Sequence, residues 1–209
     1  HLHRPFTEKA LAAGKAVMCE KPAAGCIDDI DAMIAARDRA GLPALIGFQD
    51  IYRPSTAALK RRLLDRQLGS MQHVSVITCW PRNDAYYQRN NWAGALKRDG
   101  VWALDSPANN AIAHQINLAL FLIGPSLHVS AVPVAIEAEL YRARPIECFD
   151  TCSLRIMTDV GVPVMVYMTH ACAQTIHPRI LLHGGEGMIE RNFFAICDRG
   201  EDGEARETA

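Results

Sequence analysis

Glu20-Lys21-Pro22 places a charged pair and a proline directly after the short apolar run 16–19. The run predicts a buried strand, so Lys21 lies at a strand's carboxyl end. In open α/β sheets, ligands bind in the crevice beyond these ends. A lysine there meets a cofactor or substrate, and its ammonium polarises a hydroxyl or carbonyl oxygen. The alternative is a surface ion pair, which contributes little to stability.

A second polar group lies in segment 105–117. Asn110, His114 and Asn117 are spaced i, i+4 and i+7, so a continuous helix places all three on one face. A histidine accepts a proton from a substrate hydroxyl near neutral pH, and the amides orient it or bind other hydroxyls. The alternative is a buried histidine with local hydrogen bonds. Because two amides share the helix face with the histidine, a functional site is the favoured interpretation.

A third candidate is the aromatic loop, residues 80–92. Its guanidinium groups and aromatic faces suit a polyhydroxylated ligand or a carboxylate. Subunit interfaces are also rich in Tyr, Trp and Arg, and the sequence does not separate these two interpretations. The loop contributes five candidate substrate-binding residues: Arg82, Tyr86, Tyr87, Arg89 and Trp92.

Composition narrows the function classes. The 209 residues carry 22 basic and 23 acidic side chains, so the net charge of −1 indicates neither a nucleic-acid nor a membrane partner. The seven cysteines are odd in number and scattered, which is typical of reduced thiols in a cytoplasmic protein. Their spacing does not predict a metal site. No apolar run reaches the length of a membrane span.

The pattern of elements changes near residue 70. Before it, helices and strands alternate, which predicts parallel strands with right-handed crossovers. After it, consecutive strands predict a largely antiparallel sheet, accompanied by one apolar helix over 111–123. The glycines of segment 184–187 predict a hairpin turn and not a phosphate-binding loop. Segment 198–209 is acidic and is expected to be frayed. The fold class is therefore α/β followed by α+β.

Residues 14–22 and 110–117 together resemble the Gfo/Idh/MocA family, which includes glucose–fructose oxidoreductase and inositol dehydrogenase. The resemblance extends from residue 11 to residue 190. Members carry an aGKhVlcEKP segment, matched here by residues 14–22. It implies that Lys21 is the active-site lysine beside a nicotinamide and that the bond to Pro22 is cis. The resemblance thus implies NAD or NADP as cofactor, with contacts from His3, Glu20, Lys21 and Pro22.

Members also carry an Asp-x-x-x-His-x-x-Asp pattern in which the histidine is the acid/base group. The resemblance places this pattern on Asn110, His114 and Asn117, so that amides replace both carboxylates. An asparagine cannot raise the basicity of the histidine, and an unusual substrate or a modified mechanism is a possible consequence. Asp105 is a candidate for the nearby carboxylate.

The resemblance divides the chain into residues 1–50, a partial Rossmann domain without the Gly-x-Gly-x-x-Gly loop, and residues 51–209, a substrate-binding and dimerisation domain with an open-faced sheet. It implies an NAD(P)-dependent oxidoreductase that acts on a sugar, inositol or related polyol. It also implies a homodimer or homotetramer formed through the antiparallel sheet.

The alternative is a non-enzymatic, dimerising scaffold or binding domain, which the two amides favour. A third interpretation is a cofactor held structurally or sensed. Unpaired strand edges predict that these residues alone are marginally stable or oligomeric.

Overall fold

A computed structural model describes residues 2–192, 195–199 and 205–208. The helices are α1 (His3–Ala12), α2 (Ile27–Ala40), α3 (Pro54–Leu64), α4 (Asp84–Gln88) and α5 (Ala113–Leu122), with a 3-10 turn at Gln49–Tyr52. The strands are β1 (Val17–Cys19), β2 (Ala44–Ile46), β3 (Met71–Cys79), β4 (Lys97–Arg98), β5 (Val101–Trp102), β6 (Pro133–Tyr141), β7 (Thr151–Thr158), β8 (Val164–Thr169), β9 (Ile176–Gly184), β10 (Gly187–Asn192), β11 (Ile196–Arg199) and β12 (Ala205–Thr208).

The first part of the chain is a small α/β layer. Strands β1 and β2 pair in parallel, with Met18 opposite Leu45, and helices α1 and α2 pack against each other beside them. Helix α2 ends at Gly41, whose φ of 61° suits a left-handed cap that a side chain would strain. Both strands therefore lie where the alternating pattern predicts them, and Lys21 comes two residues after the end of β1.

The second part is an eight-stranded sheet in the order β12-β11-β10-β9-β3-β8-β7-β6. One inner pair, β3 and β8, is parallel, whereas every other neighbouring pair is antiparallel. The sheet is therefore largely antiparallel, as the consecutive strands predict.

Helices α3 and α5 pack on one face of this sheet, which we call the covered face. The core there combines Leu59 from α3 and Leu118 from α5 with Val76, Val166 and Ile180 from three strands. The opposite face, which we call the open face, carries no helix in the described part of the chain, and Tyr167 on the inner strand β8 is 43% exposed. One covered and one open face match the predicted open-faced sheet.

The segment before α5 corrects one prediction. A helix was expected over 111–123, with Asn110 on its face, but α5 begins at Ala113. The Ile112 N–H donates to the Pro107 carbonyl at 2.9 Å, a wider turn than an α-helix makes, so the helical register does not extend back to Asn110. Asn110 therefore belongs to the preceding turns, while His114 and Asn117 belong to the helix.

The segment from residue 198 onward corrects a second prediction. Of segment 198–209, expected to be frayed, residues up to 199 pair as part of β11, and residues 205–208 form β12. The rest of that segment lies outside the described residues. The hairpin predicted at 184–187 is confirmed, because Gly184 and Gly187 pair at the junction of β9 and β10. Over the described ranges, every helix is too short or too polar to cross a membrane.

Candidate active site

Lys21 is held at the carboxyl end of β1 by two neighbouring segments. The Lys21–Pro22 bond is cis, and the His3 imidazole Nδ1 donates to the Pro22 carbonyl at 2.7 Å. The Lys21 Nζ donates to the main-chain oxygen of Asn110 at 2.5 Å and approaches its Oδ1 at 3.3 Å. A residue of the first part thus reaches the turn that precedes α5.

Two carboxylates influence the charge of Lys21. Burial lowers the pKa of the Lys21 ammonium, whereas Glu20 and Asp105 act in the opposite direction. Glu20 lies beside it and accepts from the Lys21 main-chain N–H at 3.2 Å. The ammonium is thus partly removed from water and lies in the field of two acids, which suits interaction with a substrate oxygen.

Asp105 is nearly buried, with 6% of its surface exposed. Its Oδ1 accepts from the Asn110 Nδ2 at 2.5 Å, and its Oδ2 accepts from the Gly94 N–H at 2.8 Å. Asp105, Asn110 and Lys21 therefore form a continuous hydrogen-bonded chain. The sequence-based suggestion that Asp105 lies near the site agrees with this geometry.

His114 lies in the first turn of α5, half-buried beside Phe48. The two rings meet edge to face, with centroids 5.7 Å apart. Burial lowers the pKa of His114, and the charge of Lys21 lowers it further, while Asp50 and Glu20 raise it. The Nδ1 of His114 and the Oδ1 of Asn117 are buried and have no hydrogen-bond partner among the described residues. Such atoms suit contact with a bound ligand.

A cavity of about 260 Å³ opens beside Lys21. It brings together five of the residues predicted from sequence, namely His3, Lys21, Pro22, Trp92 and Asn110, along with Asp105 and Asn109. His114 and Asn117 are not in its wall. The charge of Lys21 lowers the pKa of His114, which indicates that these two side chains lie near each other.

The aromatic loop divides between two environments. The Arg89 guanidinium lies 3.6 Å from the Tyr86 ring centroid and 5.1 Å from that of Trp92, and Arg82 lies 4.6 Å from the Tyr86 centroid. This stack adjoins the cavity through Trp92. Tyr87 instead lines a separate recess beside Arg144, and burial raises the pKa of its phenol to about 12.

Sequence reasoning missed Phe48 and Asp50. Both follow the carboxyl end of β2, the neighbour of β1, so the rule that selects Lys21 also applies to them. Asp50 forms an ion pair with Arg53, with 2.8 Å between Oδ1 and Nε. Burial lowers the pKa of Arg191, and the charge of Asp50 acts in the opposite direction.

Comparison with known proteins agrees with this architecture. Residues 1–48 match the family model described as "Oxidoreductase family, NAD-binding Rossmann fold". Residues 56–190 match the model described as "GFO/IDH/MocA C-terminal domain". The chain is 38% identical over 193 residues to a D-apiose dehydrogenase of Paraburkholderia graminis, covering 90% of this chain and 47% of that protein.

Solved structures show the same fold. An aldose-aldose oxidoreductase from Caulobacter crescentus, complexed with glycerol, aligns with a TM-score of 0.80 at 24% identity, over 100% of this chain and 60% of that one. The WlbA dehydrogenase from Chromobacterium violaceum, in complex with NADH and UDP-GlcNAcA, aligns with a TM-score of 0.76 at 25% identity, over 90% of this chain and 52% of that one.

The chain thus spans about half the length of the curated relatives it matches. Two family models cover most of its residues, and they follow one another in the order of the small α/β layer and the eight-stranded sheet. The chain belongs to the Gfo/Idh/MocA family of NAD-binding oxidoreductases.

Proposed function

We propose that this chain carries the substrate side of an NAD(P)-dependent dehydrogenase that oxidises a hydroxyl carbon of a sugar, an inositol or a related polyol. The main support is the contact of Lys21 with Asn110, which brings a cation from the first part of the chain to the turns directly before the helix that bears His114. Burial lowers the pKa of both groups, so each is partly removed from water, as groups at functional sites often are.

In this proposal, Lys21 binds the reacting oxygen. An ammonium has three N–H donors, and Asn110 occupies two of them. The third N–H then donates to the substrate hydroxyl and stabilises the negative charge that grows on the oxygen as its proton leaves.

His114 accepts that proton. It must be neutral to do so, and its lowered pKa favours the neutral form. When bound, the nicotinamide supplies the hydride acceptor. His3, Lys21 and Pro22 would hold it, because they line one cavity at the carboxyl end of β1.

The remaining site residues would bind the other hydroxyls of the substrate. Asn117 offers a buried carbonyl oxygen without a partner among the described residues. Trp92 offers a flat apolar surface of the kind that covers a sugar ring, with the stacked Arg82, Tyr86 and Arg89 behind it. Tyr87 lies further away, and we assign it to the support of the loop.

The comparisons support a carbohydrate substrate. The similar Paraburkholderia graminis protein is named for D-apiose, a sugar, and the similar WlbA dehydrogenase was solved with NADH and a nucleotide sugar. We propose that residues 1–50 contribute to cofactor binding and that residues 51–209 bind substrate and associate with a second copy in the cytoplasm.

A titration of the purified chain with NADH and NADPH, followed by nicotinamide fluorescence, tests the first step. Micromolar binding supports the proposal, and oxidation of a panel of sugars and polyols then follows. We expect Lys21→Ala and His114→Ala to abolish turnover. Matched controls at exposed positions, Lys15→Ala and His128→Ala, should leave it unchanged.

A non-enzymatic scaffold is the second candidate, and the amides at Asn110 and Asn117 favour it because both replace the carboxylates of the family pattern. A stable dimer that binds neither cofactor and oxidises nothing in the panel would establish this alternative for the chain and contradict the enzymatic one.

A further inference from the structure

We propose that Asp105 is a positioning residue that fixes the orientation of the Asn110 amide and thereby the charge and direction of the Lys21 ammonium. This inference builds on the proposed function, since it gives Lys21 its supporting structure. The amide at position 110 carries no negative charge, and Asp105, which lies outside the family pattern, supplies that charge near Lys21.

The first step concerns the direction of the amide. Asn110 presents an NH₂ group on one side and a carbonyl oxygen on the other. The Asp105 Oδ1 accepts from the Asn110 Nδ2 at 2.5 Å. The Asn110 Oδ1 must therefore point the opposite way, toward Lys21 Nζ at 3.3 Å. A rotated amide would aim its NH₂ at the ammonium, and two donors repel each other. The carboxylate therefore selects the orientation that binds a cation.

The second step concerns how Asp105 itself is held. Its other oxygen accepts from the Gly94 N–H at 2.8 Å, and its own N–H donates to the Ala95 carbonyl at 3.1 Å. Gly94 has a φ of 70°, and an added Cβ would lie 3.0 Å from Tyr87 Cδ1, so a glycine is needed at this contact. Asp105 is thus fixed to segment 94–95 from two sides.

Leu104 adds a third constraint. It has a φ of 45°, which is uncommon for a residue with a side chain. The backbone keeps this conformation because the Leu104 N–H donates to the Leu96 carbonyl at 3.1 Å and the Leu104 carbonyl accepts from Asn109 Nδ2 at 3.2 Å. Unusual backbone held by its surroundings is typical of functional sites. Here it directs the Asp105 carboxylate inward.

The consequence lies in the charge of Lys21. A buried carboxylate one amide away favours the ammonium form, yet it does not occupy the N–H groups of Lys21 directly. Asn110 takes two of them, and the third remains for a substrate oxygen. Compared with a carboxylate at position 110, a carboxylate behind an amide keeps the cation while making the site beside it less negative.

The test is the pKa of Lys21 measured by ¹³Cε and ¹⁵Nζ NMR titration of the labelled chain, which needs neither cofactor nor turnover. The chain has five lysines, and the Lys21 signal is the one missing from Lys21→Arg. Asp105→Asn should lower the pKa of Lys21. Glu147→Gln is the control: this carboxylate accepts from the Leu96 N–H in the same loop cluster but does not affect Lys21, so the pKa should stay at its wild-type value.

A second variant protects the test against misfolding. Asp105→Asn combined with Asn110→Asp exchanges the two side chains. The exchange keeps a hydrogen bond at each contact and reverses only the one between positions 105 and 110, because an amide can accept from the Gly94 N–H and donate to a carboxylate. This exchange should raise the pKa of Lys21 above the wild-type value, since the carboxylate then touches the ammonium. The proposal is overturned if Asp105→Asn leaves the pKa of Lys21 unchanged, or if the exchange does not raise it, in protein whose melting is cooperative.

The design separates this inference from the proposed function. A chain that fails to bind NADH or to oxidise a polyol contradicts the proposed function, whereas the NMR titration still reports on Asp105. In an active enzyme, we expect Asp105→Asn to lower kcat about tenfold and to leave the dissociation constant of the cofactor within about twofold.

Discussion

Lys21 and Asn110 lie 89 residues apart in the chain, and the ammonium of one donates to both oxygens of the other, at 2.5 and 3.3 Å. The contact joins the small α/β layer to the segment that leads into α5. Because the main-chain oxygen of Asn110 takes part, a substitution of the Asn110 side chain removes only half of it. The position of the ammonium therefore depends on the backbone turn before α5 as much as on the amide.

The pH dependence of the reaction should follow His114. A proton acceptor works only when neutral, so activity is lost as the pH falls through its pKa, which burial and Lys21 hold below the ordinary value for histidine. Asp50 raises this pKa, so Asp50→Asn should lower it further and extend activity to more acidic pH. The acidic limb of kcat/KM against pH, measured for both proteins, checks this.

The control for this prediction is Asp29→Asn, which removes a carboxylate bound to Arg4 on the surface of α2, away from His114. Its acidic limb should coincide with that of the wild type. A shift of the limb toward neutral pH in Asp50→Asn would show that His114 does not set the profile.

Lys60 should contribute stability that increases as the pH rises. Its ammonium is completely buried, donates to the Val129 carbonyl at 2.6 Å and lies 3.8 Å from the centroid of the Phe121 ring. Burial lowers its pKa to about 8, whereas an unfolded lysine titrates near 10.4. The unfolded chain therefore binds more protons between these pH values, and the free energy of unfolding increases by up to about 3 kcal/mol as the pH rises through them.

Lys60→Met should abolish this increase, because it removes the titrating group and keeps the volume of the side chain. Urea unfolding at pH 7.5 and pH 10 measures the difference. Lys15→Met, at an exposed position, should keep the wild-type dependence. An unchanged pH dependence in Lys60→Met would contradict the prediction.

The sequence predicted the strand that carries Lys21, because an apolar run followed by Glu-Lys-Pro is a local pattern. It also predicted the hairpin at 184–187, whose glycines permit the turn. It did not predict that α5 begins after Asn110, because the hydrogen bond from Ile112 to Pro107 competes with helical spacing and leaves no mark on periodicity. Asp50 was missed because its proximity to His114 depends on how the 3-10 turn after β2 packs against α5, which is a tertiary contact.

Association through the open face should depend on Tyr167. This side chain lies on the inner strand β8, between Ser153 on β7 and Ile77 on β3, and it is 43% exposed. A charge there would be buried without a partner if two open faces met. Tyr167→Asp should therefore convert a dimer into a monomer in sedimentation velocity. Phe6→Asp, at an exposed aromatic on α1, should remain dimeric, and a monomeric wild type would refute association through this face.

The backbone at Leu104 offers the last prediction. A residue with a Cβ at positive φ is strained by about 1–2 kcal/mol, and glycine removes this strain while adding about 0.5–1 kcal/mol of unfolded-state entropy. Leu104→Gly should thus unfold within about 1 kcal/mol of the wild type. Leu104→Val should lose more than about 1 kcal/mol, because a β-branched side chain tolerates this φ least. Leu96→Val makes the same chemical change at a half-exposed residue with negative φ. It should lower the free energy of unfolding by less than Leu104→Val does. Urea unfolding of the three variants measures these differences. If Leu104→Val is as stable as Leu96→Val, then the conformation that directs Asp105 toward Asn110 is not under strain.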